Sequence, residues 1–278
     1  MTTLQRSPAL GPLFARALVR RRAGRELPDT RLNLTAQPID PDRLRRYQQL
    51  CGFRVSDRLP PTFPHLLAFP LSVALMAGAD FPFPLLGLLH VRNRIEQRRA
   101  VLSTETVSIS AWAADLREHP AGRQVDLRAE ARVADELVWS EVSTYLHRER
   151  TGAKTLRPRP ELVDLTSPTI HWPVPAGIGR AYAAVSGDRN PIHLSGLTAR
   201  AFGFKRAIAH GMWLAARSLA AFEGRLPEAG RFDVAFKTPL FLPATVQLQS
   251  EPLGVHWQYR VSDTRSGRPH LSGEVRSI

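Results

Sequence analysis

The chain has 278 residues, 43% of them hydrophobic, and a formal net charge of +13. That length and apolar share give a folded globular protein of one or two domains, and the lone Cys51 excludes an internal disulfide or a cysteine-held metal cluster, so a cytoplasmic protein is expected. A positive field attracts polyanions, but the arginines are spread along the chain without zinc-finger spacing, an aromatic RNA-binding run or a helix-turn-helix, so no nucleic-acid partner is expected.

The first expected element is a basic helix over Arg16 to Arg25, which is acid-poor like a transit peptide but lacks the serine enrichment of one. A short helix ending in a turn follows. Next comes an apolar helix over about Leu66 to Ala77. Leu66 to Ala79 is too short to cross a bilayer and contains Pro70, while Phe81 to Leu89 carries Pro82 and Pro84, so no membrane span is expected. Strands are expected near His90 to Gln97, Glu105 to Trp112, Gln124 to Ala134 and Glu136 to Leu146. Between Arg148 and about Thr169 charge, Gly and Pro concentrate in R-E-R-T-G-A-K-T-L-R-P-R-P, the mark of a linker.

Beyond the linker the same order returns. A short helix ends at Gly187, an apolar helix with little polar face runs over about Gly211 to Glu223, and strands are expected at Asp233 to Thr238, Thr245 to Glu251, Val255 to Ser262 and Pro269 to Val275, with a turn over Ser262 to Gly267. Tyr47-Gln-Gln-Leu-Cys-Gly-Phe53 parallels Tyr182-Ala-Ala-Val-Ser-Gly-Asp188, and the block from Arg94 to Val107 can be laid beside that from Asp233 to Val246. The shared order indicates a diverged tandem repeat. Residues 1–150 form the first unit, 151–168 the linker and 169–278 the second unit. A buried helix wrapped by an antiparallel sheet is a hotdog, so the expected fold class is α+β, a double hotdog.

Asp188, Asn190 and His193 lie within six residues, and Gly187 with Pro191 breaks any helix through them, so all three are placed in a turn that follows a helix. A turn can aim a carboxylate, an amide and an imidazole into one small volume. Adding water to a double bond needs one group to take a proton from water and another to deliver one to carbon. Imidazole titrates near neutrality and suits the first task, a carboxyl group can serve the second, and Asn190 can orient water without moving a proton. Ile208-Ala-His-Gly211 leads into the second apolar helix, whose first amides suit a developing enolate oxygen. Gly211 leaves room for a carbonyl to approach. His210 is a substrate contact or a histidine bonded at the helix start, and Lys205 and Arg206 meet cofactor phosphates or belong to a solvated loop. Tyr182 packs behind the site, and Cys51 is a buried spacer.

Tyr182, Ser186, Gly187, Asp188, Asn190, Pro191, Ile192 and His193, followed by Ala209-His-Gly-Met212, resemble the signature of the MaoC-like hydratases. With Phe81-Pro-Phe-Pro84 and Leu146-His147, the whole chain looks like the tandem-hotdog (3R)-hydroxyacyl-thioester dehydratases of mycobacteria. The resemblance implies catalytic Asp188 and His193, an assisting Asn190, an oxyanion contact at the Gly211 amide, and an acyl thioester carried on coenzyme A or acyl carrier protein. It implies reversible hydration of trans-2-enoyl thioesters without metal or redox cofactor, by a monomer or homodimer. A hotdog thioesterase and a non-catalytic acyl-thioester or nucleic-acid binding module are the alternatives. Phe53 stands where Asp188 stands in the second unit and no Asn-Pro-x-His follows it, so the first unit is expected to be catalytically silent. Phe63, Leu66, Leu67, Phe69, Phe81 and Phe83 then line an acyl tunnel or fill the core.

Overall fold

A computed structural model of the chain describes residues 1–19, 26–149, 165 and 169–278. The expected linker, residues 151–168, thus lies outside the described residues except for Leu165. The first half contains β1 (Thr2–Leu4), α1 (Leu10–Val19), β2 (Arg31–Pro38), α2 (Pro41–Cys51), α3 (Pro64–Met76), β3 (Leu89–Gln97), β4 (Thr106–His119), β5 (Gly122–Val133) and β6 (Glu136–Arg148). The second contains β7 (Ile170–Val174), α4 (Ile178–Ser186), α5 (Pro191–Leu194), α6 (Gly196–Ala201), α7 (Gly211–Ala220), β8 (Gly230–Phe236), β9 (Ala244–Leu253), β10 (His256–Asp263) and β11 (Pro269–Ser277).

The strands join into one sheet in the order β1-β2-β4-β5-β6-β3-β8-β11-β10-β9-β7. Read outward from the β3–β8 junction, each half repeats the other: β6 matches β11, β5 matches β10, β4 matches β9 and β2 matches β7. All neighbours pair antiparallel except β1 and β2. The aligned positions Arg94 and Asp233 lie directly opposite one another in the β3–β8 pair. This is the double hotdog.

Local sequence explains the helices. Asp40 caps α2 by accepting from the amides of Asp42 and Arg43, Pro41 opens it, and Gly52 ends it with φ of 81°. Its counterpart α4 ends on Gly187 with φ of 84°. Tyr47 and Tyr182, equivalent in the two helices, meet with ring centroids 6.3 Å apart. α3 is apolar on every face and buried along almost its whole length, packed on β4 and β5. No described helix is long and apolar enough to cross a membrane.

Several boundaries differ from expectation. The N-terminal helix is Leu10–Val19, because Leu10, Leu13 and Phe14 pack on the core, and the basic residues from Arg20 to Arg25 lie outside the described residues. β4 runs to His119, past Trp112, since the hairpin with β5 resumes beyond an irregularity between Ala114 and Arg117. α7 stops at Ala220. Strands β1, β2 and β7 were not expected; β7 tolerates Pro173 because it is an edge strand.

Candidate active site

The segment after α4 is shaped by its own side chains. Gly187 takes a left-handed conformation, and a Cβ there would also lie 2.8 Å from Leu10 Cδ1. The Ser186 hydroxyl donates to the Tyr182 carbonyl at 2.8 Å and accepts the Asp188 amide at 3.1 Å. Asp188 Oδ1 in turn accepts the Asn190 amide at 3.1 Å, and Asn190 Oδ1 caps α5 through the Ile192 amide at 3.4 Å. Asp188 and Asn190 therefore sit in the expected turn, but His193 does not. It belongs to the short helix α5, which Asn190 and Pro191 start. α4 touches α5 through Gly179, where any Cβ would run into the His193 carbonyl oxygen.

Two buried histidines complete the cluster. His193 Nδ1 lies 2.8 Å from the Ile208 carbonyl oxygen, which can only accept, so Nδ1 carries the proton and Nε2 presents its lone pair. Burial lowers the pKa of His193, against the opposing pull of Asp188 and the Ile208 carbonyl, and keeps the ring neutral. His210 Nε2 donates to the Asp188 carbonyl at 3.0 Å. Burial, then the neighbouring His193, lowers its pKa to about 3. The two neutral rings stack with centroids 3.7 Å apart and planes at 26°. Tyr182 flanks His210 at 4.9 Å; its hydroxyl has no hydrogen-bond partner among the described residues, and burial raises its pKa well above the usual phenol value.

Gly211 opens α7, where the first amides of a helix have no partner within it. A Cβ at Gly211 would lie 2.9 Å from the ring of Phe236, so it is the packing of Phe236 that requires glycine there. Asp188, Asn190, His193, His210 and Gly211 all border one cavity of about 320 Å³. The first half supplies its apolar wall, chiefly Leu66, Phe69, Val73 and Met76 from one face of α3. Of the six residues expected to line a tunnel or fill the core, Leu66 and Phe69 border this cavity, Phe63, Phe81 and Phe83 are core, and Leu67 is partly buried against the core. Lys205 and Arg206 are exposed and do not line this cavity; Arg206 borders a neighbouring groove.

Residues 171–269 match the MaoC like domain. Over 259 residues, 91% of either protein, the chain is 38% identical to 3-hydroxyacyl-thioester dehydratase X of Mycobacterium tuberculosis. The chain belongs to the MaoC-like dehydratases. A crystal structure of the M. tuberculosis protein HtdX superposes with a TM-score of 0.80 at 35% identity, covering 90% of this chain and 100% of that one. The (R)-specific enoyl-CoA hydratase of Aeromonas caviae is 36% identical over 75 residues, 26% of this chain and 56% of that protein.

In this MaoC-like site Asp188, His193 and His210 bring potential metal-ligand atoms within 4.8 Å of one another. Each ring commits one nitrogen to a backbone carbonyl, His193 Nδ1 to Ile208 and His210 Nε2 to Asp188, which leaves His193 Nε2 and His210 Nδ1 outside those two bonds.

Sequence reasoning missed a polar group from the first half beside the same cavity. His65 Nδ1 lies 2.7 Å from Glu141 Oε1, the Ser143 hydroxyl donates to that oxygen at 2.8 Å, and Asn93 donates to both Glu141 and Ser143. Burial pushes the Glu141 carboxyl up, but the His65 charge and the hydrogen bonds from His65 and Ser143 outweigh it and hold the pKa below the usual value. His90 stacks on Tyr145 at 4.7 Å, its Nε2 has no hydrogen-bond partner among the described residues, and burial, then His65, lowers its pKa to about 4. His65, His90 and Tyr145 all line the cavity. The available signal was strand alternation, which places Glu141 and Ser143 at inward positions between Trp139 and Tyr145.

Proposed function

We propose that the protein reversibly adds water to trans-2-enoyl thioesters and, in the other direction, dehydrates (R)-3-hydroxyacyl thioesters, with one active site per chain. The observation that carries this reading is His193, held neutral with its Nε2 lone pair available, in a cavity shared with the Asp188 carboxyl and an apolar wall.

In hydration, His193 Nε2 takes a proton from water as the water oxygen bonds to C3. The double-bond electrons move toward the thioester, and the oxygen that gains charge lies at the start of α7, where the Gly211 amide and the helix dipole stabilise it. Asp188 delivers a proton to C2. Passing the proton from His193 back to Asp188 resets the pair, and the reaction balances as one water added to one double bond, without a metal or redox partner. Asn190 orients the water through its side-chain amide, and His210 fixes the Asp188 backbone. Phe53, buried at the equivalent position, leaves the first half without an acid or base there. The β3–β8 junction supplies within one chain the pairing that single hotdogs obtain from two, so a monomer suffices.

The test follows the ultraviolet absorbance of trans-2-enoyl thioesters of graded chain length, on coenzyme A and on acyl carrier protein, with the purified chain. Loss of absorbance without free thiol is expected. Free thiol release in its place would establish a thioesterase, and no change across the panel would overturn the reading.

A further inference from the structure

The cavity that carries Asp188 and His193 has a polar wall from the first half of the chain that the hydration steps leave unused. His65, His90 and Tyr145 line it, and Glu141, Asn93 and Ser143 form the hydrogen-bonded group behind His65. The repeat shows that the fold does not require polar side chains there. With Arg94 and Asp233 equivalent, the strand registers make Asn93 the counterpart of Phe232, Glu141 that of Gly273 and Ser143 that of Val275. The second half thus has no polar side chain where the first carries an amide, a carboxylate and a hydroxyl.

Within this wall Glu141 Oε1 is committed to His65, Asn93 and Ser143. His90 and Tyr145, stacked at 15°, are the pair left to meet a ligand. The His90 ring is hydrogen-bonded to the Arg92 backbone, a contact that pulls its pKa upward against burial, as an accepting carbonyl does. Since Nε2 has no hydrogen-bond partner among the described residues, the proton of the neutral ring sits on Nδ1, and Nε2 is an acceptor without a donor. A buried polar atom left in that state is costly. Burial, then the charges of Glu141 and Asp188, raises the Tyr145 pKa, so its hydroxyl keeps its proton and can donate. The charge of Asp188 bears on both rings, which places them near the reacting end of the acyl chain.

A ligand group that answers both rings must donate to His90 Nε2 and accept from the Tyr145 hydroxyl. A hydroxyl does both, a ketone only accepts, an ammonium only donates, and a methylene does neither. The ionised Glu141 beside them repels a carboxylate. We propose that His90 and Tyr145 recognise a hydroxyl group on the acyl chain beyond C3, so that the substrates of this site are enoyl thioesters whose chain is itself hydroxylated. The proposal rests on the acyl-thioester reading above. A site built to bond a hydroxyl discriminates strongly against the analogue that lacks it, because its own polar atoms are then left unmet.

The test has a kinetic arm and a binding arm, both on the full chain. The kinetic arm compares trans-2-hexenoyl-coenzyme A with its 4-, 5- and 6-hydroxy derivatives. The binding arm titrates hexyl-coenzyme A thioether and its 4-, 5- and 6-hydroxy derivatives by calorimetry; these can be neither hydrated nor cyclised with loss of the thiol. At one hydroxyl position the parent chain is expected to show kcat/KM at least about tenfold higher, and Kd at least about tenfold lower, than for the unsubstituted ligand. Tyr145→Phe and His90→Phe are each expected to bring both ratios to within about threefold of one. Each ratio is taken on one protein sample, so a change in the folded fraction cancels. No preferred hydroxyl position in the parent chain, or a preference that either variant retains, would overturn the proposal. If the chain hydrates the unsubstituted hexenoyl thioester without preferring a hydroxylated one, the hydratase reading stands and the hydroxyl site alone fails. If it turns over no enoyl thioester yet binds a hydroxylated thioether selectively through Tyr145 and His90, the hydroxyl site stands and the hydratase reading alone fails.

Discussion

Arg94 and Asp233 face each other across the centre of the sheet, with Nε 2.8 Å from Oδ1, and each holds the other's place in the repeat. In an antiparallel pair related by a two-fold axis, only residues on the axis meet their own counterparts, so the axis of the double hotdog passes between these two. Two identical chains would set the same charge against itself at that point. Joining the halves in one chain allows opposite charges there, and Arg231 adds a second contact to Asp233 at 2.6 Å.

Asp233→Asn keeps the shape and removes the charge. Burial raises the carboxyl pKa, but the hydrogen bonds and charges of Arg231 and Arg94 outweigh it and leave a net lowering. A lowered pKa contributes stability above the unfolded value of about 3.9, and that contribution is lost as pH falls through the folded value. At neutral pH the variant is expected to lose about 1–3 kcal/mol, read as a lower urea midpoint. An unchanged midpoint at neutral pH would show that the pair has no net energetic role.

His193→Ala and Asp188→Asn are each expected to lower kcat by about two to four orders of magnitude while the circular dichroism spectrum is kept. The pH profile adds a sharper check. Since burial lowers the His193 pKa, its base form is present throughout neutral pH, and the activity limb that reports it should fall below the ordinary imidazole value of about 6.5. A limb at or above that value would contradict His193 as the buried neutral base.

Gly179 offers a test of positioning without touching a catalytic side chain. A methyl group there would collide with the His193 carbonyl and push α5 away from α4. Gly179→Ala is expected to cost about 1–3 kcal/mol of stability and to lower kcat more than it raises KM. A drop in stability with kcat intact would mean that the placement of α5 does not limit the chemistry.

The sequence was most readable where the chemistry is contiguous. Gly187 to His193 and Ala209 to Met212 carry their own turn, cap and helix-start signals, so the residues bordering the cavity could be picked out in advance. The repeat was legible for a related reason, because a left-handed glycine closes both α2 and α4. The strands β2 and β7 were hidden: Arg-Leu-Asn-Leu-Thr-Ala-Gln-Pro includes a backbone excursion at Ala36, and the second strand has five residues with a proline among them. The His65–Glu141 group was hidden more deeply. Its members come from α3, β3 and β6, and only the register of the folded sheet brings Asn93 and Ser143 face to face.

That same buried polar population sets the acid response of the fold. Burial is the first cause of the lowered pKa of His90, to about 4, of His210, to about 3, and of His193. An unfolded chain binds protons at these positions below about pH 6.5, where the folded chain still refuses them, so stability must fall as pH drops from there toward the folded values. Each such group contributes a slope of up to about 1.4 kcal/mol per pH unit. Glu141, whose carboxyl is held below its usual value, adds a further loss of the same sign only near and below about pH 4. The urea midpoint is therefore expected to decline steadily between pH 7 and pH 5, where the carboxylates contribute little to the slope. His90→Gln, which removes the buried titrating ring, should flatten that decline. If the parent chain and His90→Gln lose stability equally over this range, His90 is protonated in the folded state and its neutral burial is refuted.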